Sequence, residues 1–316
     1  MRSLALAEIL HKSFHCTFII RKPSNDLKAC ILAVCDHLLE LEETDNIETE
    51  AKQLALSLKK GIIVLDGYHF NTQYQQILKE ASLKVVSIDD MHLQHFVSDC
   101  IINHAPLIRE QSYSKEPYTK LYTGLNYRLV NPVFTSTLKE KKACNSYSLF
   151  ICFGGSDPYK LTLKVLHSIK DNLEGLIDRI EVVIGNVNKG KVALKKFKEI
   201  NPNLSLSLHE NLSPKQMAEL MCKCQIAIAP ASTILYELKS IGLQVISGYY
   251  TDNQLNIYKG MLKENFIHGL GDFRAFNAYG ERITQLIRGE ITPKQKERFK
   301  SNAATHIQAI FEELIA

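Results

Sequence analysis

No apolar run in this chain approaches the roughly 20 residues that a helix needs to cross a bilayer, so a membrane-spanning class is excluded. A secretory leader is not expected either. Arg2 precedes an apolar stretch, but Glu8 interrupts it, Lys12 follows, and no small-residue cleavage site appears. Excess charge is scarce: the net charge is +4 at pH 7. That is too mild for a nucleic-acid protein, and the lysines spread over predicted helix surfaces rather than forming a basic patch for nucleic acid or membrane. Cys-x-x-Cys spacing is absent. The eight cysteines stand singly or as Cys222-Lys223-Cys224, and Cys30, Cys35 and Cys152 lie inside apolar runs. Free buried thiols in a reducing cytoplasm are the expectation, and the protein is read as cytoplasmic. Asp-x-Asp occurs nowhere, which weakens a metal-dependent sugar-transferase reading. Solenoid repeats and low-complexity segments are missing too.

What is present is an ordinary globular composition, with 45% hydrophobic and 23% charged residues over 316 positions. That length predicts two domains. Apolar runs rich in β-branched residues alternate with segments of helical period, the pattern of βα units and a parallel sheet. Predicted strands in the first half are CTFII (16–20), IIVLD (62–66), KVVSI (84–88) and CIIN (100–103). In the second half they are SLFICF (148–153), IEVVI (180–184), LSLSL (204–208), QIAIA (225–229) and LQVIS (243–247). The polar stretch TSTLKEKKACNS (135–146) lacks amphipathic pattern and predicts a linker, giving domains 1–141 and 142–316. The expected fold is α/β, two doubly wound Rossmann-like domains facing a cleft. Residues 1–14 read as a helix with Leu6, Ile9, Leu10 and Phe14 on one face. A doubly wound domain opens with a strand and a tight loop, so the first domain is expected to lack its opening strand. Met1 then falls inside the first helical turn, and a start internal to a longer reading frame is the favoured explanation.

Two strand-to-helix junctions carry the chemistry. FGGSDP (153–158) follows an apolar strand and precedes a helix with Leu161, Val165, Ile169 and Leu173 on one side. Gly154 and Gly155 permit a tight turn and close backbone approach. Asp157 reads as an N-cap and Pro158 as the first helical residue. The amides at such a helix start, with the Ser156 hydroxyl, suit a phosphate; a plain βα turn fits the same residues. In QIAIAPASTILYELKSIG, Ser232 and Thr233 open a helix where hydroxyls either cap it or meet a phosphate. Glu237 lies one turn on, and its side chain leans back toward that start, suited to a ribose diol; alternatively it is a solvated surface carboxylate. Asn253 and Gln254 in TDNQ (251–254) either bond a sugar or phosphate or cap the next helix. In the first half, Asp66 and Tyr68 stand at a strand's carboxyl end, where a tyrosine stacks on a sugar or simply packs. Asp89 and Asp90 close the next strand. His92 and His95 share H-x-x-H spacing without a further ligand, so a surface loop is expected rather than a metal site.

In this order, LALAEIL, LDGYHF, SIDDMHLQHFVSDCIIN, YTGLNYRLVNPVF, FICFGGSDPYKLTLKVL and IAPASTILYELKSIG followed by DNQ resemble the nucleotide-sugar hydrolases of pseudaminic acid biosynthesis. Those enzymes act on UDP-2,4-diacetamido-2,4,6-trideoxy-β-L-altropyranose. The resemblance covers nearly the whole chain and implies a GT-B-like fold, with UDP on the C-terminal domain. It assigns Gly154, Gly155 and Ser156 to a phosphate loop. Ser232, Thr233 and Glu237 become the pyrophosphate and ribose helix, and Gln254 and Asn253 a polar loop near the sugar. Tyr68 faces the sugar from the first domain, and Tyr68 and Asn253 are the catalytic candidates. It implies attack of water at the anomeric carbon with inversion and departure of UDP, without metal or cofactor, by a monomer. The family's base histidine sits in a G-x-G-H loop that has no counterpart here, and His11 and His15 do not replace it. The expectation is a retained UDP site with impaired hydrolysis. A GT-B glycosyltransferase or an inactive UDP-sugar-binding protein is the competing reading.

Overall fold

The structure is a computed structural model that describes residues 2–44, 46–58, 60–137, 147–171, 175–275, 279–288, 298–299 and 302–316. It divides into two compact units, Met1–Pro132 with Ser301–Ala316, and Val133–Lys300. The expected boundary at 141/142 lies outside the described residues, as does the expected linker from 138 onward. Thr135 and Ser136 close a short helix, Pro132–Ser136.

The first unit opens with a helix, Arg2–Leu10, that buries Leu6, Ile9 and Leu10. It is shorter than the expected 1–14, and Phe14 packs against the core from outside it. Strands β1 (Thr17–Arg21) and β2 (His37–Leu41) pair in parallel as a separate two-stranded sheet. A four-stranded parallel sheet follows in the order β3-β4-β6-β8, from β3 (Ile62–Asp66), β4 (Lys84–Ile88), β6 (Cys100–Asn103) and β8 (Lys120–Thr123). Short β5 (His95–Phe96) and β7 (Ser114–Lys115) pair beside it. Among the described residues β1 and β3 share no ladder, though Ile19 and Leu41 pack against the cluster of Ile63, Leu65 and Leu78.

The second unit holds one six-stranded parallel sheet. Its strands are β9 (Tyr147–Ile151), β10 (Ile177–Ile184), β11 (Leu206–Glu210), β12 (Ile226–Pro230), β13 (Gln244–Tyr249) and β14 (His268–Asp272). Their order is β11-β10-β9-β12-β13-β14. Leu149, Phe150, Ile151, Ile228 and Val245 are fully buried, as strands covered by helices on both faces must be.

The last helix, Ala303–Ile315, belongs to the first unit, whereas the sequence alone reads it into the second. Its stripe of Ala303, Ile307, Ile310 and Phe311 has helical spacing. Ile307, Ile310 and Phe311 find their cover on Leu6, Leu10, Ile88, Ile102 and Leu129. Periodicity shows that a helix has an apolar face but not which distant segment receives it.

Candidate functional site

Strand order decides where a site forms in the second unit. The chain leaves β9 toward β10 on one side, and β12 leads to β13 on the other. β9 and β12 are ladder neighbours, with Leu149 opposite Ile226 and Ile151 opposite Ile228. Connections diverge at such a switch point and leave a crevice at the carboxyl ends of the strands. The loops after β9 and β12 are the two junctions singled out in the sequence.

After β9, Gly154 takes φ +79°, a conformation only glycine adopts without strain. The turn rests on a glycine that sequence reasoning missed. A Cβ on Gly185, just past β10, would overlap the Gly154 carbonyl and the Gly155 backbone. Gly155 itself faces open space, where an added Cβ would come no nearer than 3.9 Å to Val187. Gly154, Gly155 and Ser156 are all exposed. One expectation is corrected here. The helix starts at Leu161, not Pro158, because Asp157 (φ +41°) and Lys160 (φ +53°) turn the chain once more before it. Buried Asp157 still caps that helix, accepting from the Leu161 amide at 2.7 Å and the Thr162 amide at 3.0 Å. This helix start therefore already holds an anion, and a ligand phosphate has only the glycine turn and Ser156 to use.

The junction after β12 is the opposite case. The Ala231 amide donates to Gly248 O and the Ser232 amide to Pro230 O, both at 2.8 Å, which fixes the loop. Ser232 occupies the N-cap position of helix Thr233–Ile241, yet its hydroxyl makes no capping bond. Among the described residues, the Thr233 and Ile234 amides have no acceptor. An open helix start with unpaired amides and a hydroxyl is suited to an anion. Glu237 is partly buried and has no hydrogen-bond or ion-pair partner among the described residues. Burial pushes its carboxyl up to about 7. A carboxylate without a protein donor, one turn into an open helix, can accept two hydroxyl donors at once.

After β13, Asp252–Gln254 forms a single tight turn. Gln254 is buried; its Oε1 accepts from the Tyr250 amide at 2.9 Å, and its side chain also bonds the Tyr250 hydroxyl. Thr251 Oγ1 donates to Asn253 Oδ1 at 2.7 Å. These side chains shape the loop; Gln254 stands at the N-cap of helix Leu255–Lys263, but its side chain makes no capping bond there. Gly248 is a second missed position, since a Cβ there would overlap Gly271 O from β14. Both missed glycines close apolar strands, VVIG and VISG, and that is the signal that finds them.

In the first unit, Tyr68 is 56% exposed in the turn after β3. Asp66 is engaged by Arg2 and Ser3. Asp89 Oδ2 accepts from the Met91 and His92 amides and the Tyr113 hydroxyl. The two H-x-x-H imidazoles go separate ways, His92 to Asn103 at 3.3 Å and His95 to Ser114 and Glu116. Among the described residues, no three side chains are grouped to hold a metal, and no helix is long and apolar enough to cross a membrane.

No protein-family model matches the chain. The chain is 24% identical over 212 residues to UDP-2,4-diacetamido-2,4,6-trideoxy-beta-L-altropyranose hydrolase of Campylobacter jejuni, covering 66% of this chain and 73% of that protein. It spans about half the length of two further curated relatives, with 44% and 49% of their chains covered. Among solved structures, Acinetobacter baumannii MurG superposes with a TM-score of 0.64 at 11% identity, over 99% of this chain and 95% of the other. An S. aureus MnaA–UDP co-structure gives 0.64 at 9% identity, over 99% and 93%. The chain thus has an α/β fold of the GT-B kind and resembles, in sequence, a hydrolase of a UDP-linked diacetamido sugar.

Proposed function

We propose that this chain binds a UDP-linked sugar through its second unit and releases UDP from it by hydrolysis, the substrate being UDP-2,4-diacetamido-2,4,6-trideoxy-β-L-altropyranose. The observation that carries the reading is Glu237, which has no hydrogen-bond partner among the described residues and lies one turn into the open start of helix Thr233–Ile241. A ribose diol supplies the two donors it lacks. The diphosphate then meets the Thr233 and Ile234 amides, the Ser232 and Thr233 hydroxyls and the Gly154–Ser156 turn. These dipoles oppose the negative charge that grows on UDP as the bond to the sugar breaks.

In the reaction, a water oxygen bonds to the anomeric carbon from the face opposite UDP. The bond from that carbon to the phosphate oxygen breaks, its electron pair leaves with UDP, and the configuration inverts. Asn253 and Gln254 hold the sugar end, and Tyr68 contacts the sugar. Tyr68 and Asn253 orient the reactants, and the proton lost by the attacking water passes to solvent as UDP departs. No metal or cofactor enters the scheme.

One observation favours a second reading: the second-unit contacts, apart from the TDNQ loop, all serve the nucleotide leaving group, so they would serve a glycosyltransferase or a UDP-sugar binder equally. Turnover separates them. Incubated with the UDP-diacetamido sugar, chelator and no acceptor, the protein is expected to release UDP and free sugar in equal amounts. Tight UDP binding with no release under those conditions would reject hydrolysis.

A further inference from the structure

Two tyrosine rings meet at the carboxyl edge of the second unit's sheet. Tyr159 belongs to the loop after β9, and Tyr250 follows β13. Their centroids are 5.8 Å apart and their planes stand at 64°, an edge-on pair. β12 lies between β9 and β13 in the sheet, so rings that meet from these two loops span its carboxyl end. From that same end the chain enters the open helix start at Ser232 and Thr233.

The two rings are held differently. Tyr250 packs against the core of the second unit, and Gln254 bonds both its amide and its hydroxyl. Burial raises that hydroxyl above its ordinary value and the charge of Asp157 adds to the rise, so the ring reaches the Asp157 helix cap. Cys152 ties this corner to Glu237. Burial pushes its thiol up to about 12, and the carboxylates of Glu237 and Asp157 both contribute. Tyr159, by contrast, is 42% exposed. A ring left so much in water adds little to the core. Yet the loop presents it between two left-handed residues, Asp157 at φ +41° and Lys160 at φ +53°, which non-glycine residues adopt at a cost. Small-molecule sites are built this way, with aromatic faces beside a few placed polar groups.

We propose that Tyr159, seated on Tyr250, determines specificity: its ring takes the apolar side of the sugar and selects deoxy, acetamido-bearing sugars over hexoses that keep their hydroxymethyl group. The inference rests on the UDP-sugar reading above. With the diphosphate at the Gly154–Ser156 turn and Thr233, the attached sugar lies within reach of Tyr159, three residues on from Ser156. The 2,4-diacetamido-2,4,6-trideoxy sugar carries a methyl group in place of a hydroxymethyl, and two acetyl methyls besides. Methyl groups leave water favourably for an aromatic face. A hydroxymethyl group loses hydrogen bonds there that the ring does not replace.

Calorimetry on the full chain tests it with three ligands: UDP, UDP-N-acetylglucosamine, and the UDP-diacetamido sugar with a methylene group replacing its anomeric oxygen, which blocks hydrolysis. The wild type, Tyr159→Ala and Tyr159→Phe are compared, with melting midpoints recorded. The diacetamido analogue is expected to bind the wild type at least about tenfold tighter than UDP-N-acetylglucosamine. Tyr159→Ala lowers that ratio several-fold while UDP affinity holds, and Tyr159→Phe, which keeps the ring, preserves it. Should Tyr159→Ala fail to fold, Tyr159→Gln carries the comparison. Equal affinity of the two sugar nucleotides for the wild type, or an unchanged ratio in Tyr159→Ala, overturns this proposal alone. So does a loss in Tyr159→Phe as large as in Tyr159→Ala, which would make the hydroxyl rather than the ring the contact. Absence of UDP binding to the folded wild type overturns the nucleotide reading, and this proposal with it.

Discussion

Burial of Glu237 costs the fold, and in the proposed site the same carboxylate serves the ligand. Burial holds its carboxyl near 7 rather than the 4.5 of a free glutamate. A folded-state value above the unfolded one favours the native state below about pH 4.5, and that contribution is lost as pH rises through about 7. Glu237→Gln is therefore expected to raise the melting midpoint above pH 7 while weakening the ligand, the trade-off common at binding sites. The same titration gives binding a pH dependence of known sign, because a ribose diol needs the ionised carboxylate. Uridine, with no group of its own titrating between pH 6 and 8, is expected to bind about tenfold tighter at pH 8 than at pH 6. Glu237→Gln should flatten the profile, and a flat wild-type profile would remove Glu237 from the ribose site. None of this is legible in the sequence, where Glu237 is equally a surface carboxylate on a helix.

At the scale of elements, the glycine turn after β9 and the strand that supports it respond differently to substitution. Gly155 faces open space, so Gly155→Val is expected to weaken UDP far more than uridine with little change in melting midpoint. Gly185 lies against that turn, so Gly185→Ala displaces the backbone and is expected to lower both stability and UDP affinity. Equal loss of UDP and uridine binding in Gly155→Val would mean general damage rather than an obstructed diphosphate. Most strands could be read from the sequence, because buried parallel strands are short runs of branched apolar residues: IIVLD and KVVSI match β3 and β4 end to end. HLLEL (β2) and HGLGD (β14) escaped, the first for its charge and exposure, the second for its glycines. The candidate site was legible as two strand-to-helix junctions. That they adjoin depends on β9 pairing with β12 across 70-odd intervening residues, which no local pattern reports. The helix after FGGSDP was misplaced because two left-handed non-glycine residues, Asp157 and Lys160, are invisible to propensity.

For the molecule as a whole, the last helix ties the chain's end to the first unit, and its removal is a control on the assignment of UDP to the second. Phe311 is 2% exposed within the first-unit core, edge-on to Phe14. Phe311→Ala is expected to cost about 3–5 kcal/mol of stability while leaving UDP affinity intact at temperatures where the protein stays folded. A parallel loss of affinity would show that the nucleotide site depends on the first unit. The central claim is that the second unit reads the nucleotide through the open helix start and Glu237. Its most direct test is calorimetric titration of the full chain with UDP and with uridine, in the wild type and in Glu237→Ala. Both ligands are expected to bind the wild type, and the substitution is expected to weaken both by a similar amount, about 1.5–3 kcal/mol for a hydrogen bond to a charged group. No UDP binding to the folded wild type, or undiminished affinity for both ligands in Glu237→Ala, would contradict it.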